Sequence, residues 1–462
     1  MSTLNKLRLT GRQYGELRRH LFPGDGLEAV ALVACGRMQA GEVRALMARE
    51  LLLIPHSQCH RTTSEVTWPP PLALPLIQRA VERDLAIVKI HSHPAGYERF
   101  SDRDDASDRD LFASVGGWAD SDNPHASAIM LECGRILARL VNADGVFSPI
   151  EMTAVAGSDL KFWCAANVTT ASVFAQRHRQ LFGSETSDRL QRLSVAVVGC
   201  SGTGSPLIEM LARLGVGHLV LVDPDRVEVK NLNRIYNATQ EDAILGRFKT
   251  EVMGRAIARM GLGTAVTLIN EDLATAKAVR AVAGCDVVFG CMDGARGRNL
   301  LNEIATFYCV PYFDVGVRLD ADGVGGIADA IGAVHCVQPD GSTLLERGAI
   351  TAEQLHAEAL RYSDPDEYRR QVRSRYIRGV HENRPAVISI NTQMAATAVN
   401  EFLARLHPYR LSENDEFAVV RTSFVQGEQY HSEEEVPPRE AHRRNLGRGD
   451  CDPLLDMPLL SE

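Results

Sequence analysis

Leu193-Ser-Val-Ala-Val-Val-Gly199-Cys-Ser-Gly202-Thr-Gly204 is the stretch on which the fold turns. Its β-branched apolar run reads as a buried strand, and the glycines that follow read as a tight turn into a helix expected over Thr203 to Leu214. The next apolar run, His218-Leu-Val-Leu-Val222, ends in Asp223. Strand, glycine turn, helix, strand and terminal acid make the phosphate-binding half of a parallel α/β sheet. Glycines let backbone N–H groups approach phosphate at the positively polarised start of a helix, and an acid ending the second strand accepts ribose hydroxyls.

Alone, this pattern would point to a dinucleotide dehydrogenase. Residues further on argue otherwise. Asp223-Pro-Asp225 is followed by Asn231-Leu-Asn233-Arg234, then by Gly246-Arg-Phe-Lys249, and later by Asp293, Arg298 and Asn302 after an expected strand from Asp286 to Gly290. An asparagine, an arginine and a lysine converging on a nucleotide suit a triphosphate, and Asp293 at a strand's carboxyl end suits its magnesium. Hydride transfer needs none of them. Read singly, each has a plain role: glycines serve a turn, Arg234 and Lys249 are solvated charges, Asp223 is a cap.

As a set they resemble the ThiF/MoeB/ubiquitin-activating superfamily, from about Arg177 to Tyr409. That resemblance implies a Rossmann-like domain that uses ATP with Mg2+ to adenylate the C-terminal glycine of a ubiquitin-like protein. It implies that Gly199, Gly202 and Gly204 form the loop at the phosphates, with Asp223 and Asp225 on the ribose side. Asn231, Arg234 and Lys249 then hold the phosphate chain and Asp293 the magnesium. Arg177-His-Arg179-Gln180 matches the leading segment that crosses a dimer to the partner's ATP, so Arg179 implies at least a homodimer. The sequence departs from the family at Ser201, where a glycine is expected, and lacks the paired Cys-x-x-Cys clip of many relatives. No cysteine stands where relatives place a thiol. A covalent carrier adduct would have to form on Cys336, Cys451 or Ser342, and direct transfer of the acyl-adenylate is the expected route.

A second constellation lies upstream. His91-Ser-His93-Pro94 is followed by Ser101 and Asp104, between an expected strand Leu85–Ile90 and a helix opening at Ser101. Histidines two apart on a strand share one side, and a carboxylate from the next turn supplies a third ligand, leaving a zinc ion one open position for water. Ser101-x-x-Asp104 is also a capping box. Spacing and types resemble the JAB/JAMM zinc isopeptidases, whose fold is cytidine-deaminase-like α/β. The resemblance implies that His91, His93 and Asp104 bind Zn2+, that Glu28 is the base and that Ser101 donates to the oxyanion. Glu42 and Glu50 are weaker candidates for the base.

The chain of 462 residues is too long for one ordinary core. Residues 1–150 are expected to form the JAB-like domain, 151–192 a helical linker and the start of the adenylation unit, 193–420 the ThiF-like domain with a helical insert over 344–384, and 421–462 an extended tail that packs only locally. Within that tail, Leu446 to Leu455 is expected as a turn plus apolar anchor on the chain's own surface. No apolar run is long enough to span a bilayer, no secretion signal is visible, and the ten cysteines form no Cys-x-x-Cys pair, so a cytoplasmic protein is expected. A net charge of −9 gives no general attraction to nucleic acid or to anionic membrane.

Both resemblances address one chemical object, the flexible C-terminal glycine of a small modifier. The expected protein is a bacterial ubiquitin-like conjugation enzyme that combines processing or removal with activation, and a conjugating enzyme is a further expected partner. Relatives of this arrangement resemble components of antiphage defence operons. The alternatives are activation of a sulfur carrier and a catalytically silent scaffold.

Overall fold

A computed structural model describes residues 3–118, 122–165, 173–373 and 385–460. The chain divides into two compact units. Met1–Val168, Phe307–Cys309 and Arg444–Asp456 form the first; Thr169–Thr306, Val310–Arg443 and Met457–Glu462 form the second.

The first unit contains β1 (Leu4–Thr10), α1 (Gly11–Leu21), β2 (Val30–Ala40), β3 (Val43–Leu53), β4 (His60–Arg61), β5 (Val66–Thr67), α2 (Leu74–Glu82), β6 (Ala86–His93), α3 (Asp102–Gly116), β7 (His125–Leu131), β8 (Ile136–Val141), β9 (Phe147–Pro149), β10 (Met152–Ala156) and β11 (Leu160–Cys164). Nine of these strands form one sheet in the order β11-β10-β1-β3-β2-β6-β7-β8-β9. Side chains alternate across it, as strand geometry requires. Ala31, Val33 and Cys35 of β2 join Val88 and Ile90 of β6 in a core under Tyr14, Leu17 and Leu21 of α1. Leu32 and Ala34 join Ile87 in the opposite core, with Leu76 and Ile77 of α2 and Phe112 and Val115 of α3. Burying each large aliphatic chain in these layers contributes about 1.5–3 kcal/mol.

That alternation places the metal-site candidates. Odd-numbered residues of β6 face α3, and down that face Ile87 shares a core with Phe112. Lys89 pairs with buried Asp108 at 2.5 Å, and His91 meets Asp104. Asp104, Asp108 and Phe112 recur every four residues, so one stripe of α3 runs antiparallel to the strand.

Two expectations fail here. The segment 151–192 is not a helical linker throughout, because Met152-Thr-Ala-Val-Ala156 pairs in parallel with β1 and closes the first sheet with β11. Its β-branched apolar run is buried along its whole length, which a linker cannot achieve. Part of the expected linker, 166–172, lies outside the described residues. Nor is 421–462 an extended tail. Arg444–Asp456 belongs to the first unit, where Asp450 N–H donates to the Arg37 carbonyl at 2.8 Å and Asp450 Oδ2 accepts from Gln39 N–H at 2.8 Å. Leu446, Leu454 and Leu455 are buried, as the apolar-anchor expectation required. A β-carbon on Gly36 would stand 2.1 Å from the Gly447 carbonyl oxygen, so only a glycine lets the two backbones touch.

The second unit contains α4 (Gln176–Arg192), β12 (Ser194–Val198), α5 (Gly204–Leu214), β13 (His218–Val222), α6 (Gln240–Ile244), α7 (Lys249–Met260), β14 (Ala265–Ile269), α8 (Ala276–Ala283), β15 (Val287–Gly290), α9 (Ala295–Tyr308), β16 (Tyr312–Ala321), β17 (Ile327–Val337), α10 (Ala352–Ser363), α11 (Pro365–Arg373), α12 (Ile388–Leu406), β18 (Val419–Ser423), β19 (Glu428–Ser432) and α13 (Glu440–Arg443). Its sheet runs β14-β13-β12-β15-β16-β17-β18-β19, parallel from β14 to β16 and antiparallel beyond. The tail residues 421–432 are thus built into the antiparallel edge. Strand order reverses between β12 and β15, and ligands of open α/β sheets bind at the carboxyl ends of strands at such a switch point. The insert is helical in α10 and α11, and 374–384 lie outside the described residues.

Candidate functional sites

In the first unit His91 Nε2 lies 3.1 Å from His93 Nε2 and 3.0 Å from Asp104 Oδ1, and His93 Nε2 lies 3.7 Å from Asp104 Oδ2. One ligand atom from each falls within 4.8 Å of the others, and these three are the cluster of metal-ligating type found among the described residues. The donor set fits a zinc ion. His93 Nδ1 donates to the Tyr97 carbonyl at 2.6 Å, which fixes the ring and presents Nε2 to the cluster, the arrangement that orients metal-binding imidazoles. Ser101 caps α3. Its N–H and hydroxyl donate to Asp104 Oδ2 at 2.7 and 2.8 Å, locking that carboxylate in place. The capping box and the ligand geometry are therefore one structure, and Ser101 would have to turn from Asp104 to reach an oxyanion.

Burial opposes charge on Asp104, yet bonds from His91, His93 and Ser101 outweigh it and hold the carboxyl well below the usual range. Burial pulls His91 down. It also pulls on His93, but Asp104 and the Tyr97 carbonyl leave that imidazole raised.

Glu28 stands two residues before the start of β2. Val30 pairs with His91 in antiparallel register and Ser92 N–H donates to the Ala29 carbonyl at 3.0 Å, so continuing the register sets Glu28 beside His93. Burial pushes its carboxyl up to about 7, against the pull of His93. A carboxyl poised there can both take and return a proton at neutral pH. The other two candidates lie elsewhere: Glu42 is exposed in the turn between β2 and β3, and Glu50 pairs with Arg79.

In the second unit the glycine loop connects β12 to α5. Gly199 has φ +94°, a left-handed conformation that a side chain resists, and a β-carbon on Gly204 would stand 1.8 Å from the Gly199 carbonyl oxygen. Asp223 is buried at the end of β13 and accepts from Cys200 N–H at 2.7 Å and from Asp225 N–H at 2.9 Å. Burial raises its carboxyl, with Lys249 opposing. Lys249 Nζ lies 2.6 Å from Asp225 and 3.7 Å from Asp223, so lysine and acids neutralise one another. Asn231 is buried and its Oδ1 accepts from Glu228 N–H at 3.0 Å. Arg234 reaches along the same loop to the Lys230 carbonyl at 3.0 Å. Asp293 is exposed between β15 and α9. Arg298 turns inward as a forked ion pair with buried Asp314, so its charge serves the sheet. Arg179 pairs with Asp188 of its own chain at 2.6 Å.

None of the proposed acceptors in this unit presents a ready nucleophile. Cys336 is buried, and Ser342 is fully buried with its hydroxyl held by Glu434 at 2.6 Å. Within the site, burial pushes the Cys200 thiol well up and that of Cys291 up to about 12. Cys451 lies in the first unit, half-buried, its thiol on the Pro453 carbonyl at 3.2 Å.

Two residues at this site escape the sequence patterns. Glu358 of α10 accepts from Ala295 N–H at 2.9 Å and Arg296 N–H at 2.8 Å, capping α9 beside Asp293. Asn391 in the first turn of α12 faces Gly202. No local signal marks Asn391, because Ser389, Thr392 and Gln393 make the whole opening of the helix mixed in polarity.

The family model for ThiF matches residues 175–442. The chain belongs to the ThiF family. A second model, prokaryotic homologs of the JAB domain, matches residues 12–141, so this ThiF protein carries a JAB domain ahead of its Rossmann-like one. Similar curated proteins include the SAMP-activating enzyme E1 of Haloferax volcanii, 35% identical over 28% of this chain and 47% of that protein. Another is the sulfur carrier protein adenylyltransferase of Thermus thermophilus, 33% identical over 29% of this chain and 50% of that protein. The adenylyltransferase and sulfurtransferase MOCS3 of Mus musculus is 38% identical over 25% of each chain. This ThiF chain thus spans about half or less of the length of these relatives. Among solved structures, E. coli MccB with succinimide aligns over 58% of this chain and 74% of its own, at 18% identity and a TM-score of 0.44. Among the described residues no helix is long and apolar enough to cross a membrane.

Proposed function

We propose that this ThiF-family chain is a bifunctional enzyme acting on the C-terminal glycine of a ubiquitin-like protein. The first unit cleaves the peptide or isopeptide bond after that glycine, and the second converts the freed carboxylate into an acyl-adenylate. The observation that carries this reading is that one chain holds both sets: His91, His93 and Asp104 gathered beside a carboxyl at about 7, and a glycine loop with Arg234 beside Gly202 and Asp223 on Cys200 N–H, Lys249 standing next to Asp223.

In the first unit His91 Nε2, His93 Nε2 and an Asp104 oxygen would hold zinc, which supplies Lewis acidity toward the scissile carbonyl and an acidified water. Glu28 takes a proton from that water on its carboxylate and returns it to the departing amine. Ser101, once turned from Asp104, donates its hydroxyl to the oxyanion. In the second unit Asp223 accepts the ribose hydroxyls, while Arg234 and Lys249 exchange their internal partners for phosphate oxygens. Asp293 would hold a magnesium ion, which would supply neutralisation of the phosphate charge. The carrier carboxylate displaces pyrophosphate, and in the absence of a poised thiol the adenylate passes directly to its acceptor. Arg179 would complete the site of a second copy by exchanging Asp188 for that copy's ATP. A conjugating enzyme is the corresponding partner, in a bacterial pathway of the kind used against phage.

Sulfur-carrier activation is the second reading, favoured by the names of the Thermus thermophilus and Mus musculus relatives. The two readings part on product. Purified protein is incubated with ATP, magnesium and each small glycine-ending protein from its own genome, and pyrophosphate exchange is followed. Exchange lost in Asp293→Ala, with cleavage of a C-terminally extended carrier lost in His91→Ala, is the expected result. Exchange with no carrier in that set would sink both readings. A thiocarboxylate as sole product would select the second.

A further inference from the structure

Asn391 is 5% exposed, and its side-chain amide has no hydrogen-bond partner among the described residues. It opens a helix whose buried side is otherwise largely apolar over its first turns, through Met394, Ala395, Ala398 and Phe402. The amide is not among the wholly buried side-chain groups left without a partner, so it keeps a little accessible surface on which to meet a ligand. It is aimed at a specific place. A β-carbon on Gly202 would come 2.4 Å from Asn391 Nδ2 and 3.4 Å from Arg234 Cδ. The bare α-carbon of the glycine loop is therefore flanked by the carboxamide and by the arginine stem. The turn that carries Asn391 is held there: Thr392 Oγ1 lies 3.0 Å from the Tyr236 hydroxyl, and Tyr236 N–H donates to Ser205 Oγ in α5 at 3.0 Å.

We propose that Asn391 is a further substrate-contacting residue of the adenylation site, its Nδ2–H donating to a phosphate oxygen of the nucleotide laid across Gly202. The inference rests on the adenylation reading of this unit. Arg234 and Lys249 bring charge on flexible stems, whereas Asn391 brings a neutral donor on a packed helix. Its contribution is orientation of the phosphate chain rather than net attraction. A carboxylate in its place would repel the same oxygens.

The full-length protein, Asn391→Ala and Asn391→Asp are titrated calorimetrically with ATP and, separately, with adenosine, in magnesium buffer, and melted with and without ATP. Asn391→Ala is expected to weaken ATP about tenfold, as for loss of one hydrogen bond to a charged group. Asn391→Asp should weaken it further, and adenosine should bind all three alike. Without nucleotide, Asn391→Ala should melt close to the parent, because no side-chain hydrogen bond of the nucleotide-free protein is removed, yet gain less from ATP. Equal ATP affinity in all three proteins overturns the proposal and leaves the adenylation reading standing. So does a parallel loss of adenosine with a lowered melting temperature, the mark of a merely structural residue. A parent protein that binds no ATP overturns the proposal and the adenylation reading together.

Discussion

The metal cluster of the first unit and the nucleotide loop of the second solve opposite design problems. His91, His93, Ser101 and Asp104 come from one strand and the helix start after it, and they are bonded to each other in the bare protein. His93 and Asp104 are held in aim by the Tyr97 carbonyl and by Ser101. The nucleotide loop gathers residues from six segments between Gly199 and Asn391, and its charges satisfy each other internally, Lys249 on Asp225 and Arg234 on its own loop. A ligand there must exchange partners, not simply drop in. Local assembly gives a rigid site, and dispersed assembly gives one whose charges can swap.

The largest test of that contrast is His91→Ala. With two ligands left, stoichiometric zinc by atomic absorption and cleavage of an extended carrier should both vanish, while ATP affinity in the second unit stays unchanged. A retained full zinc equivalent would break the comparison. Next, Glu28→Gln should keep the metal and slow cleavage by roughly a hundred- to ten-thousandfold, the range for losing a general base. In the second unit Lys249→Met should weaken ATP by about tenfold or more while freeing Asp225 from its partner. A smaller loss than that of a Lys→Met change at exposed Lys230 would mean that the internal ion pair never opens.

The first unit's stability is the next probe. Gly36→Val should cost about 1–3 kcal/mol by overpacking against the Gly447 backbone, lowering the first of two calorimetric transitions and leaving the second in place. The smallest effect is on pH. Glu28 has its folded carboxyl raised, so the native state binds the extra proton. The associated stability is fully present below the unfolded value of about 4.5 and is lost as pH rises to about 7. In chelator-treated protein the parent should lose about 2–4 °C more across that window than Glu28→Gln. A larger loss in the variant would reverse the assignment of burial as the cause.

What could be read in the amino-acid string follows the same contrast. His91 to Asp104 is legible because strand alternation and a capping box are short-range rules, and both hold in the structure. The strand-turn-helix at Gly199–Leu214 is legible for the same reason. β10 is not, because its place depends on parallel pairing with β1, where Asn5 N–H finds Glu151 across 146 positions. For Arg444–Asp456 the apolar anchor is legible in its leucines, but its place is not, because that depends on Gly36 and Gly447 meeting bare backbone to backbone. Asn391 and Glu358 escaped because each acts on a loop far away in the chain, through one amide and one carboxylate that no local pattern marks.

Arg444–Asp456 carries a consequence for how this protein is made. The ribosome emits the strands of the first unit early, but the thirteen-residue piece Arg444–Asp456, which seals Gly36 and donates an N–H to the Arg37 carbonyl, emerges only after residues 310–443 of the second unit have been translated. Until then the nascent first unit displays an unsealed strand and an empty apolar seat for Leu446, Leu454 and Leu455. A stop placed just ahead of Arg444 would therefore injure the unit built mainly from residues 1–168.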